Sequence, residues 1–281
     1  MSLEYNDSNT ELLNIEIRLL LEGIFLKYGY DFRNYSKAHI RRRILNHLGT
    51  HHIETVTELL DKVLRNPDFF RAFLDSLSIN VTEMFRDPEF YRSFRENVIP
   101  KLRTYTFFKV WHAGCSTGEE VYSLAILLQE EGLLERCQIY ATDLNRKVLE
   151  TAREGVYQIA DMGLYEQNYQ LSGGKANLSD YYKSMYGSVM FNKELSSRIV
   201  FADHNLVTDS VFAEVNIILC RNVLIYFEKD LQNKVLKLFY DSLAPSGLLC
   251  LGTKESIKFS SVENGFDIMD AKQKIYKKKL I

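Results

Sequence analysis

Residues 108–130, "FKVWHAGCSTGEEVYSLAILLQE", restrict the fold more than any other stretch. A short apolar run ends in a turn of small residues, and a helical pattern follows at once. Strand, glycine turn and helix in that order are the opening of a parallel α/β unit, whose ligand sits at the strand's carboxyl end. The rhythm repeats downstream. "CQIYATDL" reads as a strand and "NRKVLETAREG" as a helix. "RIVFADHNL" and "VNIILCRNVLIYF" read as strands, "KDLQNKVLKLFYDSL" as a helix, and "APSG" turns into the strand "LLCLGT". The closing "QKIYKKKLI" alternates and suits an edge strand.

Residues 10–80 follow a different pattern, with helical spacing throughout. Leu13, Ile17, Leu20, Leu21 and Ile24 share one face of a first helix that Gly29 stops. Ile40, Ile44 and Leu48 form a row on a second, from which Arg41, Arg42 and Arg43 fall toward solvent. Asp87-Pro88 reads as an N-cap with proline at the first helical position. Residues 157–198 break the α/β rhythm; they are tyrosine-rich, turn at Gly173-Gly174, and read as a small insert with hairpin strands, a helix also being open for "SDYYKSMY". The expected fold is therefore α/β, a Rossmann-like sheet, with an N-terminal all-helical domain and linker (1–86), an α/β domain (87–281) and an antiparallel β insert (157–198).

The turn itself poses a question of charge. Neither G-x-G-x-x-G nor a Walker lysine is present, and Glu119 and Glu120 stand where a pyrophosphate would lie. Acids in a first helical turn complement the helix dipole by about 0.3–1 kcal/mol and need no ligand. They also suit a cationic ligand: a carboxylate about 4 Å from a positive charge gains roughly 4 kcal/mol at an effective dielectric near 20, before desolvation. S-adenosylmethionine carries a sulfonium and an ammonium and no phosphate, and Asp143, ending the next strand, stands where an acid accepts from ribose hydroxyls.

Composition removes other classes. A net charge of −2 gives no general attraction to nucleic acid, and no apolar run approaches the ~18 residues of a membrane span. Cys115, Cys137, Cys220 and Cys250 form no C-x-x-C pair, so reduced, buried thiols and a cytoplasmic setting are expected. The six histidines have no metal-ligand spacing.

Three stretches, "INVTEMFRDPEFY" (79–91), "AGCSTGEEVYSLAI" (113–126) and "CRNVLIYF" (220–227), in this order, resemble the CheR family of chemoreceptor glutamate methyltransferases. The resemblance runs from about residue 15 to the C-terminus. The chain departs from the family's pattern at Val121, at Thr253-Lys254, and in a longer insert. The resemblance implies S-adenosylmethionine as methyl donor and S-adenosylhomocysteine as product. It implies cofactor contacts at Asn80, Thr82, Arg86, Ala113, Glu119, Asp143, Asn205, Leu206, Asn222 and Val223. Arg86 suits the methionyl carboxylate, and Asn205 and Leu206 the adenine.

The acceptor it implies is a glutamate on the cytoplasmic domain of a methyl-accepting chemotaxis receptor. Tyr226 is the candidate to orient that carboxylate and Arg103 a weaker one to attract it; Arg41, Arg42 and Arg43 would steer the acidic receptor surface. No metal, nucleic acid or membrane insertion is expected, and a monomer is. The rival readings are a methyltransferase of the same fold acting on another acceptor and a non-catalytic scaffold that binds cofactor and receptor.

Overall fold

The computed structural model describes residues 7–77 and 82–280. The chain falls into two compact units, Met1–Ile79 with Tyr226–Gln232, and Asn80–Ile225 with Asn233–Ile281.

The first unit is helical: α1 (Asp7–Tyr28), α2 (Lys37–His51), α3 (Val56–Arg65) and α4 (Pro67–Leu77). α1 ends where expected, because Gly29 takes φ +78° and donates its N–H back to the Phe25 carbonyl. Leu13, Leu20, Leu21 and Ile24 are buried on its inner face, as are Ile40, Ile44 and Leu48 of α2. Thr55 caps α3 by accepting from the Glu58 N–H at 3.0 Å. The arginines of α2 do not share one environment: Arg42 is exposed, Arg41 is half-buried, and Arg43 is half-buried with its Nε enclosed and without a partner.

The second unit opens with α5 (Pro88–Ser93), which a π turn joins to α6 (Ile99–Leu102). Pro88 starts the helix as expected, but Asp87 does not cap it. Asp87 sits at φ +56° and its carboxylate pairs instead with Arg221, since a buried guanidinium outbids a capping N–H. Next come β1 (Phe108–Ala113), α7 (Glu119–Glu130), β2 (Cys137–Asp143), α8 (Arg146–Glu154), β3 (Val156–Gln158), α9 (Met162–Leu171), β4 (Tyr182–Met185), β5 (Ser188–Phe191) and α10 (Lys193–Ser196). The chain closes with β6 (Ile199–Asp203), β7 (Val215–Cys220), α11 (Lys229–Ser242), β8 (Leu243–Leu251), β9 (Phe266–Asp270) and β10 (Ile275–Lys278).

The main sheet runs β6-β2-β1-β7-β8-β10-β9. β6, β2, β1, β7 and β8 run parallel to one another, and β10 is antiparallel to both of its neighbours, β8 and β9. After β1 the chain builds outward through β2 to β6, then returns to the other side of β1 with β7. β1 and β7 thus flank the topological switch point, the usual place for a ligand crevice. The last strand is not an edge. β10 lies inside the sheet with Ile275 and Tyr276 buried, and β9 takes the edge.

"VNIILCRNVLIYF" is a strand only as far as Cys220. Asn222 turns left-handed at φ +60°, and the buried Glu255 carboxylate takes the N–H groups of Asn222 (3.1 Å) and Ile225 (3.3 Å), which removes them from any ladder. The insert holds a three-stranded antiparallel sheet, β3-β5-β4, with α9 between β3 and β4 in the chain; "SDYYKSMY" forms a short 3-10 turn and then β4, not a helix.

Candidate active site

The turn after β1 is built by glycine. Gly114 (φ +74°) and Gly118 (φ +95°) both need the left-handed region, and neither has room for a Cβ. At Gly114 it would lie 2.6 Å from Val223 Cγ2, and at Gly118 2.8 Å from Ala152 Cβ. The first contact shows how closely the turn after β1 approaches the loop after β7. Gly114 and Cys115 donate their N–H groups to the Thr142 carbonyl, and Ser116 donates to Asp143 Oδ2 at 2.9 Å. Asp143 also accepts from Asn145 N–H through Oδ1. With Leu144 N–H as a third donor, the carboxylate still keeps an acceptor direction for a ligand hydroxyl. Burial pushes its carboxyl up, against the pull of these N–H groups.

The two glutamates of the helix opening are neighbours in sequence with opposite electrostatics. Glu120 is buried and fully paired: Arg221 Nη1 lies 2.8 Å from Oε2, and His112 Nε2 lies 3.0 Å from Oε1. Burial pushes its carboxyl up, but Arg221 and His112 outweigh that and hold it below the usual range. Glu119 is just as buried, at 6% exposure, and among the described residues its side-chain partner is the Thr117 hydroxyl at 2.6 Å. Among the described residues no lysine, arginine or histidine pairs with it, and burial pushes its carboxyl up. A buried acid without a cation is costly, and a bound positive charge relieves it.

Arg221 ties this region together. It is buried, bonds Glu120 and Asp87, donates to the Arg86 carbonyl through both Nη atoms at 3.3 Å, and lies 4.1 Å over the Phe90 ring. The end of β7 is thereby fastened to the segment carrying Arg86. Thr82 and Arg86 are both half-buried there. Glu255 does the same for the loop after β7, with a further bond from Gly252 N–H at 2.6 Å.

The structure brings Ala113, Glu119, Asp143, Asn205, Leu206, Asn222 and Val223 to the carboxyl edge of β1, β2, β6 and β7. His204 N–H reaches the Asp143 carbonyl (3.2 Å), which draws the Asn205–Leu206 segment beside β2. The Asn205 side chain caps Val207 N–H through Oδ1, leaving its amide nitrogen for other use, and Leu206 is buried. Two buried polar atoms on these loops, Asn222 Oδ1 and Ser116 Oγ, have no hydrogen-bond partner among the described residues. An unpaired acid, an acid with spare acceptor directions, and two orphaned polar atoms fit a ligand rich in donors and bearing positive charge. S-adenosylmethionine is such a ligand, and a dinucleotide pyrophosphate is not.

Other expected residues lie elsewhere. Arg103 is exposed and pairs with Glu131 at 2.8 Å, just beyond the far end of α7 and about 18 Å along the helix from Glu119, so it does not join the cluster. Tyr226 groups with the helical unit: its carbonyl accepts from Ser36 N–H at 2.8 Å and its ring meets His39 edge-on. Asn80 lies outside the described residues. Sequence reasoning missed Arg221, His112 and Glu255. The signals for them were a cation directly after an apolar strand, a histidine inside one, and an acid after the late Gly252.

Among the described residues no helix is long and apolar enough to cross a membrane, and no group of three His, Cys, Asp or Glu is placed to hold a metal ion. All four cysteines are free and buried.

Comparison with known proteins agrees with the site. Residues 80–275 match the family described as CheR methyltransferase, SAM binding domain, and residues 15–78 match CheR methyltransferase, all-alpha domain. The Pseudomonas putida protein Cher3 is 51% identical over 273 residues, 97% of this chain and 99% of its own. The chemotaxis protein methyltransferase of Klebsiella aerogenes is 30% identical over 267 residues, 91% of this chain and 87% of its own. That of Listeria innocua is 31% identical over 231 residues, 82% of this chain and 85% of its own. With both domains matched and the crevice chemistry suited to a sulfonium cofactor, the chain belongs to the CheR family of S-adenosylmethionine-dependent methyltransferases.

Proposed function

We propose that the protein transfers a methyl group to glutamate side chains on the cytoplasmic domain of a chemotaxis receptor, forming methyl esters. The observation that carries the crevice half of this reading is Glu119, buried without a cation at the head of α7. The acceptor half is supported by the names of the Klebsiella and Listeria relatives and by α2, on which Arg41, Arg42 and Arg43 face no acid anywhere from 32 to 53. We take the working division as 1–86 for the helical part with its linker, 87–281 for the catalytic part, and 157–198 for the insert.

S-adenosylmethionine, when bound, supplies a methyl group made electrophilic by its sulfonium. The chain's own task is then placement and control of charge. Glu119 receives the cofactor's positive charge, Asp143 its ribose hydroxyls, and Asn222 Oδ1 a donor. Asn80, Thr82 and Arg86 hold the methionyl end, Asn205 and Leu206 the adenine, and Ala113 and Val223 close the walls. The acceptor carboxylate is already ionised at neutral pH and needs no general base. Tyr226 orients it.

The test transfers radiolabelled methyl to a receptor cytoplasmic fragment and to RNA, then measures methanol released by mild base. Base-labile label on the receptor fragment is expected, lost in Asp143→Ala. Tyr226→Phe should lower kcat more than it changes cofactor Kd. Label on RNA, or cofactor binding with no transfer to the receptor fragment, overturns the acceptor reading.

A further inference from the structure

α1 is apolar on two faces, and only one is covered. Opposite the buried Leu13, Leu20, Leu21 and Ile24 lie Leu12, Ile15, Leu19 and Leu26, which are 55%, 43%, 51% and 75% exposed. Their spacing of three, four and seven residues draws a straight seam about 21 Å long, the pattern one helix offers another. Charged side chains separate the two faces, and a contiguous apolar face left in water marks an interaction surface.

Ile15 leads from the seam into a groove of about 750 Å³ between α1 and α2, whose apolar wall includes Leu21 and Ile40. Its rim carries more basic than acidic side chains. Arg33 is occupied: it pairs with Glu22 and Asp31 and lies over Phe25 at 3.7 Å, which neutralises the Glu22 side of the rim. Arg18, Lys37 and Arg41 also line the groove, and among the described residues none of the three forms an ion pair. Against them stands Glu11.

We propose that this seam and groove dock an amphipathic helix whose apolar edge lies along Leu12, Ile15 and Leu19 and whose flank is acidic, facing Arg18, Lys37 and Arg41. The inference goes beyond the acceptor reading, because it concerns how a helical partner is gripped and not which carboxylate is modified. It also changes which cations matter: Arg18 and Lys37 join Arg41, while Arg42 and Arg43 do not line the groove. A second copy is a poorer occupant. Antiparallel pairing about Leu19 would set Arg18 of one chain beside Arg18 of the other, and like charges at such a contact select against it. Apolar contact gives the grip here, and charge gives specificity and encounter rate.

The probe is a fluorescent helical peptide with leucine at positions a and d of each heptad and glutamate on both flanks. A twin carries lysine for glutamate. Anisotropy is measured against the full-length protein without cofactor, so the result is independent of any turnover. The acidic peptide should bind, more weakly as salt rises, and the lysine peptide should not. Leu19→Glu should weaken binding at least tenfold, and Arg18→Ala with Arg41→Ala by several-fold. Leu19 is half exposed, so the variant should keep its circular dichroism and melting temperature; Leu19→Ser serves if it does not. Failure of the acidic peptide to bind overturns the proposal, as does equal binding of the lysine peptide or indifference to both Leu19 variants. Concentration-dependent dimerisation of the protein abolished by Leu19→Glu would also overturn it and give the face to a second copy.

Discussion

The carboxyl edge of the main sheet and the outer face of α1 are both incomplete, in opposite ways. At the sheet edge charge and polarity lack partners: among the described residues Glu119 has no cation, and Asn222 Oδ1 and Ser116 Oγ have no hydrogen bond. On α1 oil lacks cover, with four large aliphatic side chains facing water. What a surface leaves unpaired describes what it binds. The first asks for a small cationic ligand with donors, the second for an apolar seam of helical length. Glu120 has its cation inside the protein, and among the described residues its neighbour Glu119 has none.

The largest effect is expected at Arg221. Arg221→Ala leaves Glu120 buried and unpaired and frees the Arg86–Asp87 segment. A loss of about 3–5 kcal/mol in unfolding free energy is expected by denaturant titration, with a far smaller loss when Glu120→Gln is added. A result under 1 kcal/mol would mean that water already shares this pair. Next is Gly114→Ala, which forces alanine to a positive φ and a Cβ onto Val223. About 1–3 kcal/mol of stability should go, and calorimetric binding of S-adenosylmethionine with it.

Glu119→Gln tests the sheet edge directly. Cofactor binding should weaken by roughly 10- to 100-fold, the range for a hydrogen bond to a charged group, while stability is kept or slightly raised. The sign with pH follows from the upward shift. A carboxyl raised in the folded, ligand-free protein favours that protein most below its unfolded pKa, and the advantage is lost as pH rises through the folded value. The cation binds the ionised form, so affinity for cofactor should rise across the same window in the native protein and stay flat in Glu119→Gln. A parallel slope in both would assign the titration to another group.

The smallest effect belongs to the helical unit. His47 is buried beside His51, Phe69 and Phe73, neither ring nitrogen is bonded among the described residues, and burial, with His51, lowers its pKa from 6.5 to about 4. The unfolded chain binds that proton first, so stability contributed by the neutral ring should fall as pH drops from about 6.5 to about 4. His47→Leu should flatten the melting temperature across that window; an unchanged slope would show that the ring is solvated.

Much of the architecture is legible in local pattern. The alternation after residue 107 implies a parallel sheet, the spacing in α1 and α2 gives their buried faces, and the glycines at 114 and 118 mark the turn, because periodicity and φ preference are properties of neighbours along the chain. The order of strands is not local. β10 has the pattern of an edge and lies inside, since insertion between β8 and β9 depends on which ladders remain open once the parallel strands have formed. Asp87 has a cap's sequence and no cap's role, because Arg221, 134 residues away, holds its carboxylate.

The sequence, then, determined the helical and α/β halves, the acidic glycine turn, and through its three motifs the family and the sulfonium cofactor. Tertiary structure alone decided which acid was free. Glu119 and Glu120 are the same residue type on the same first helical turn. Only the fold sets a guanidinium and an imidazole against one and leaves the other buried with a hydroxyl, and that difference in partner, not in sequence, makes one a structural anchor and the other a binding group.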